Sequence, residues 1–296
     1  MGVDMNQAIS AMVKEFGDIK SPSDGQNALK EIIQKIVLLG LHRQKFFDAA
    51  AFYGGTALRI LYGLNRFSED LDFCLIPANR DFAISPYFQG IQDELERFGL
   101  KAKITEKRTG PGAEIESAFV KQPTHQGLIT IGLNPKSGHP GQLVKIRLEV
   151  DKNNPSGGVE ERRLIKLPTP FLVNTLTLPS LFAGKLHAVL ARAYLNNVKG
   201  RDYYDLQFYL ARDTVVNMGY LEAKLRDSKH YSAKEPLGRE QLLKMLKSKF
   251  MSVDFRKAAA DVRPFLHAAD QSQIDEWSSE LFCALIDTLQ TSEKEV

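Results

Sequence analysis

Hydrophobic and polar positions divide the chain into a first half that alternates strand and helix patterns and a second half that is mainly helical. The sharpest alternation is at residues 143–151. Val144, Ile146, Leu148 and Val150 fall on one side and Lys145, Arg147, Glu149 and Asp151 on the other, the period of a half-buried strand with a charged face. Phe67, Leu71, Phe73 and Leu75 also occupy alternate positions and predict a strand over residues 67–75. Phe46, Phe47 and residues 49–52 form an apolar run that suits a buried strand and ends at Gly54-Gly55. Further strands are predicted at residues 100–108, 114–122 and 127–133, with a turn-rich loop at 135–141.

Helical spacing is found elsewhere. Residues 1–20 are weakly amphipathic, and turn residues at 21–25 break them. A helix from Gln26 to about Leu39 places Leu29, Ile32, Ile33, Ile36 and Val37 on one face, with Gly40 as its stop. Ala57, Leu58, Leu61 and Tyr62 predict a helix after the glycine pair, and Phe88, Ile91, Leu95 and Phe98 another within residues 82–99. In the second half, Pro179 opens a helix reaching Tyr194, and residues 199–202 lead into one carrying Leu206, Phe208, Tyr209 and Leu210. Residues 239–250 and 273–290 also read as helical. The turn-rich stretch 153–158 is the natural linker. The expected architecture is therefore α+β: N-terminal helices (1–45), a mixed core (46–155) and a mainly helical C-terminal domain (156–296) that contributes to the active-site cleft.

Overall charge adds little, because 39 basic residues nearly balance 36 acidic ones. Its distribution says more. Basic residues outnumber acidic ones from Leu221 to Lys257, whereas the chain from Asp261 onward is acidic, so a polyanion such as RNA would meet the first stretch. Cys74 and Cys283 have no metal-ligand spacing. No apolar run is long enough to span a bilayer, and residues 1–9 lack the basic start and apolar centre of a signal peptide. A cytoplasmic location is expected.

The candidate chemistry lies between the two clearest features of the first half. Gly54, Gly55 and Thr56 occupy a turn between a predicted strand and helix, where backbone N–H groups can cradle a phosphate. Asp70 and Asp72 follow one helix later on the same side of a strand, and paired carboxylates repel unless a cation lies between them. Together these suit a magnesium-bound NTP. Each feature alone has a plainer reading, as an ordinary turn and a solvated strand face. Glu149 is the better third acid because it lies within the alternating run, and Asp151 is the alternative. Lys185, between Phe182 and Leu186, either snorkels or reaches a phosphate. His187 reads as a packing residue, Asp202 as a helix cap or a site contact, and Tyr203 and Tyr204 as core residues or base-stacking ones.

The run Gly54-Gly55-Thr56-Ala57-Leu58, then Arg66-Phe67-Ser68-Glu69-Asp70-Leu71-Asp72-Phe73, Lys185-Leu186-His187-Ala188 and Lys199-Gly200-Arg201-Asp202-Tyr203-Tyr204-Asp205-Leu206 resembles the AbiEii/AbiGii family of nucleotidyltransferase toxins, related to the MenT toxins. The resemblance implies a polymerase-β-like nucleotidyltransferase fold with a mixed sheet, a helical C-terminal domain, a bacterial or phage-defence setting and a cognate antitoxin. It places the phosphate motif on Gly55 and Thr56, and Gly54, in the same turn, and Ser68 complete the expected nucleotide contacts. It places the metal aspartates on Asp70 and Asp72, the lysine on Lys185, and the downstream aspartate on Asp202 or Asp205. Thr56 stands where the family has serine and keeps the hydroxyl. The function implied is magnesium-dependent transfer of a nucleoside monophosphate from an NTP to an acceptor, foremost a tRNA 3′ end, with release of pyrophosphate. The alternatives are a protein or small-molecule hydroxyl as acceptor, or a non-catalytic module that binds RNA or antitoxin.

Overall fold

The computed structural model describes residues 5–19, 21–107, 113–135, 141–193 and 198–292. The predicted start at Met1, the strand end at Arg108, the helix end at Tyr194 and most of the 135–141 loop lie outside the described residues. The chain forms two compact units. One comprises Met1–Gly63, Phe67–Asn154 and Glu161–Thr175; the other comprises Leu64–Arg66, Pro155–Glu160 and Leu176–Val296.

The first unit carries helices α1 (Met5–Lys14), α2 (Pro22–Arg43), α3 (Gly54–Tyr62), α4 (Phe88–Arg97) and α5 (Thr124–Thr130). Its strands are β1 (Ala50–Tyr53), β2 (Leu71–Leu75), β3 (Lys103–Lys107), β4 (Ile115–Pro123), β5 (Leu143–Asp151), β6 (Glu160–Ile165) and β7 (Phe171–Leu176), in the sheet order β3-β4-β5-β2-β1-β7-β6. The sheet is mixed: β2/β5 and β1/β7 run parallel, whereas β1/β2, β3/β4 and β4/β5 run antiparallel. Phe52, Leu71, Phe73, Ala118, Val120, Ile146, Leu148 and Val150 join Leu29, Ile32, Ile36 and Leu39 of α2 in one buried cluster. The apolar side of each alternating strand thus faces this core, and its polar side is left on the opposite face.

Three local expectations are revised. Residues 21–25 begin α2 instead of breaking a helix: Ser21 Oγ accepts from the Asp24 N–H, and the Asp24 carboxylate accepts from the Ser21 N–H, a reciprocal capping box. Gly40 does not stop α2. A Cβ there would lie 3.0 Å from Ile91 Cα and 3.1 Å from the Gly90 carbonyl, so this glycine lets α2 and α4 approach closely. Residues 124–130 form α5 and not a strand over 127–133, because Leu128 and Ile131 bury one helical turn apart. The sheet also takes in β6 and β7, which follow the predicted linker. β6 is a charge-rich edge strand whose sequence shows little apolar alternation.

The second unit carries α6 (Leu178–Ala191), α7 (Gly200–Leu210), α8 (Met218–Asp227), α9 (Arg239–Met251), α10 (Phe255–Val262) and α11 (Ser279–Ile286), with a short parallel pair β8 (Val215–Val216) and β9 (Gln290–Thr291). Tyr203 is fully buried against Phe250, Phe255 and Phe282, which settles it as a core residue. Tyr204 donates from its hydroxyl to the Asn65 carbonyl.

Within this unit Arg66 and Asp205 form a fork-to-fork pair at 2.6 and 2.7 Å, with both side chains almost completely buried. Burial opposes the charge on each partner, yet Arg66 and Lys185 hold the Asp205 carboxyl below the usual carboxylate range. Its stabilising contribution is therefore present above the unfolded-state pKa and is lost as pH falls through the lower folded-state value. Arg66→Met should destabilise the protein by about 3 kcal/mol, because it strips a partner from a buried charge. Chemical unfolding checks this, and the deficit should narrow below about pH 4, where the unfolded carboxyl protonates.

Candidate functional site

The candidate site in the first unit is built where β1 turns into α3. Gly54 opens the helix with φ +80°, and a Cβ at this position would lie 2.6 Å from Asp72 Oδ2. Glycine satisfies both demands, an unusual backbone and contact with a carboxylate. Thr56, two residues into the helix, is fully buried, and its hydroxyl donates to the Asp70 carbonyl. The Thr56 side chain therefore ties the start of α3 to the segment carrying the aspartates. The N–H groups of the first turn remain the donors that an intrahelical ladder cannot use.

Strand register assembles the carboxylates. β2 begins at Leu71, so Asp70 immediately precedes it, and the polar side of the sheet carries Asp72. Asp72 pairs in register with Tyr53 of β1 and with Glu149 of β5, and Glu149 pairs with Ser117 of β4. Register partners point to the same face, which places Asp72 and Glu149 side by side. Ser117 Oγ donates to Glu149 Oε1 at 3.3 Å. Asp151 instead pairs with Cys74 and accepts from the Asn153 N–H. Glu149, not Asp151, is thus the acid beside Asp72.

Arg147 joins the site without a motif to mark it; its only signal in the sequence is its place two positions before Glu149 on the charged side of β5. Its Nη2 donates to Asp70 Oδ2 at 2.8 Å, and its Nη1 lies 3.0 Å from Glu149 Oε1. The hydrogen bond to Asp70 outweighs partial burial, and with the nearby charges of Asp70, Glu149 and Asp72 it raises the arginine pKa above its ordinary value. The run before Asp70 is fixed to α2: Gln34 Nε2 donates to the Ser68 carbonyl at 3.1 Å, and Lys30 pairs with Glu69 at 2.8 Å.

The remaining predicted residues lie in the second unit. Lys185 Nζ is 2.8 Å from both Asp202 Oδ1 and Asp205 Oδ2, and Arg192 also pairs with Asp202. Both candidates for the downstream aspartate therefore hold the same lysine. Arg66 and Arg192 complete this network, and the sequence pattern alone gives neither of them a role. Their signal is position alone, Arg66 at the head of the aspartate run and Arg192 one helical repeat beyond Lys185. His187 bonds to Ser228 at 2.9 Å, and burial pushes its pKa down to about 4, assisted by Lys224 and His230. It is a neutral packing residue.

In donor type, though not as a ready-made group of three, the carboxylates fit a hard divalent cation. Asp70, Asp72 and Glu149 offer carboxylate oxygens on one face, and two of them already hold a cationic group. Among the described residues, no group of three or more His, Cys, Asp or Glu side chains is arranged to hold a metal ion.

Comparison with solved structures finds JHP933 from Helicobacter pylori, with 18% identity, a TM-score of 0.50, and coverage of 88% of this chain and 90% of that one. A second structure, a candidate nucleotidyltransferase from H. pylori, gives 15% identity, a TM-score of 0.42, and coverage of 86% and 93%. Comparison with curated proteins gives no match. The first likeness is one of fold, a mixed sheet followed by a helical C-terminal region. A model of the family described as the nucleotidyl transferase AbiEii toxin, type IV toxin–antitoxin system, matches residues 36–280. The chain belongs to the AbiEii family of nucleotidyltransferase toxins.

Proposed function

We propose that this AbiEii-family protein transfers a nucleoside monophosphate from an NTP to a hydroxyl of a tRNA 3′ end, releasing pyrophosphate, and that it works in the cytoplasm in phage defence. Family membership implies an NTP substrate and an antitoxin partner. The observation that carries the reading is the register of Asp72 with Glu149 beside the α3 N-terminus. The glycine turn and the carboxylates thus lie together, which supports reading the turn as a phosphate cradle.

In this reading the first-turn N–H groups at Gly54, Gly55 and Thr56 hold triphosphate oxygens, with Ser68 as an adjacent contact. Magnesium on Asp70 and Asp72, when bound, withdraws charge from the α-phosphorus and stabilises the departing pyrophosphate. Glu149 accepts the proton of the attacking hydroxyl, and Ser117 holds its carboxylate in place. Lys185, the lysine that the family motif assigns to the phosphates, has its ammonium fixed by Asp202 and Asp205. Positioning and charge neutralisation then account for most of the rate.

The RNA acceptor is supported by the basic stretch of the second unit. Arg226, Arg239, Lys247 and Lys257 are engaged within the protein, by Glu222, the Leu289 carbonyl, Asp287 and Asp254. Lys229, Lys234, Lys244 and Arg256 are exposed. These four are assigned to the phosphate backbone.

Incubation with labelled NTPs and total RNA should place label on tRNA 3′ ends. Label on protein or a small molecule would redirect the acceptor, and no transfer at all would remove the catalytic reading. Asp70→Ala should lower transfer at least about a hundredfold, whereas Thr56→Ser, which keeps the buried hydroxyl, should be nearly silent. Gly54→Ala should lower folding stability by about 1–3 kcal/mol through backbone strain, read as a shift of the unfolding midpoint, and should also reduce transfer through the collision at Asp72. Replacing Lys229, Lys234, Lys244 and Arg256 by alanine should flatten the salt dependence of tRNA affinity by about one logarithmic slope unit for each phosphate that is no longer neutralised.

A further inference from the structure

Arg147 holds one of the two carboxylates that the proposed chemistry assigns to a metal ion. Its guanidinium bridges two carboxylates from different segments, Asp70 Oδ2 at 2.8 Å and Glu149 Oε1 at 3.0 Å, and Asp72 lies in register beside Glu149. The guanidinium and a divalent cation on Asp70 and Asp72 compete for the Asp70 carboxylate. Three carboxylates surround one guanidinium, so the cluster stays net negative and a doubly charged ion would neutralise it better. The three paired side chains are 38%, 28% and 26% exposed for Arg147, Asp70 and Glu149, which leaves the pair weak and gives the arginine solvent into which it can swing.

We propose that Arg147 is a resident counter-cation. It holds Asp70 and Glu149 together before metal binds, surrenders Asp70 to the divalent ion that arrives with the nucleotide and frees Glu149 to accept a proton, and then pairs with an oxygen of the triphosphate. This rests on reading Asp70 and Asp72 as metal ligands. It has a definite thermodynamic consequence. Metal alone must displace the arginine without compensation, whereas metal with nucleotide gives the released guanidinium a new anion. Metal and nucleotide therefore bind cooperatively through Arg147, and the coupling is reciprocal. Bidentate pairing with phosphate suits a guanidinium in particular.

The probe is Mn²⁺, titrated into the full chain by calorimetry or paramagnetic resonance, with and without a non-hydrolysable NTP analogue. Arg147→Met should bind Mn²⁺ alone about fivefold more tightly than the parent, the factor set by losing a partly exposed ion pair. The further tightening that the analogue produces should shrink in this variant. Arg147→Lys, which keeps the charge without the fork, should fall between the two. Circular dichroism and unfolding curves establish that each variant is folded, and Asp70→Asn serves as the metal-site control. If Arg147→Met binds Mn²⁺ no more tightly than the parent while Asp70→Asn loses it, the exchange proposal fails and the metal reading stands. If neither the parent nor Arg147→Met binds Mn²⁺, both fall.

Discussion

Two like charges set in register on adjacent strands are the constraint that the candidate site answers to. Asp72 of β2 stands opposite Glu149 of β5, and carboxylates so placed destabilise a sheet unless something cationic lies within reach. The apolar sides of the same strands leave no freedom to avoid this. Leu71, Phe73, Leu148 and Val150 are fully buried on the core side, and a slip by one residue would exchange the buried set for the charged one. The hydrophobic core therefore enforces the juxtaposition. Arg147, brought in by the same alternation, offsets part of it.

The glycine turn is held to this cluster by means unrelated to charge. Thr56 gives its hydroxyl to the Asp70 carbonyl, and Gly54 presents no side chain where Asp72 comes close. A serine in place of Thr56 would supply the same donor. The interval between Thr56 and Asp70 contains the remainder of α3, and residues 64–66 belong to the second unit, where Arg66 meets Asp205. The interval is thus a helix plus an anchoring segment and not slack loop.

Much of this was legible where one physical signal dominated. The 2.0-residue period gave β5 and the face carrying Glu149, and the apolar run ending in two glycines gave β1 and the start of α3. Legibility failed where local pattern and packing disagreed. Gly40 has the look of a helix stop, but its neighbours on α4 explain it, and no single helix encodes them. Residues 127–133 are apolar enough for a strand, yet α2 and β4 receive them as a helix. β6 opens with four consecutive charged residues, Glu160 to Arg163, on an edge, so its membership in the sheet comes from tertiary pairing. Ion pairs were the least readable, because partners such as Arg66 and Asp205 lie 139 residues apart.

Two arginines near the aspartate run show how burial decides what an ion pair can do. Arg66 and Asp205 are sealed from water, so separating them would leave a charge in a medium that cannot solvate it, at a cost of about 3–5 kcal/mol. Such a pair can be kept or broken, but not exchanged at ambient energies. Arg147 makes slightly longer contacts with more than a third of its side chain in solvent, where a pair is worth at most about 1 kcal/mol. Water takes up the released groups, so an incoming divalent ion or phosphate can displace the existing partner. The chemistry of the two guanidiniums is the same. Access to solvent makes the first a fixture of the second unit and leaves the second free to change partners during a reaction cycle.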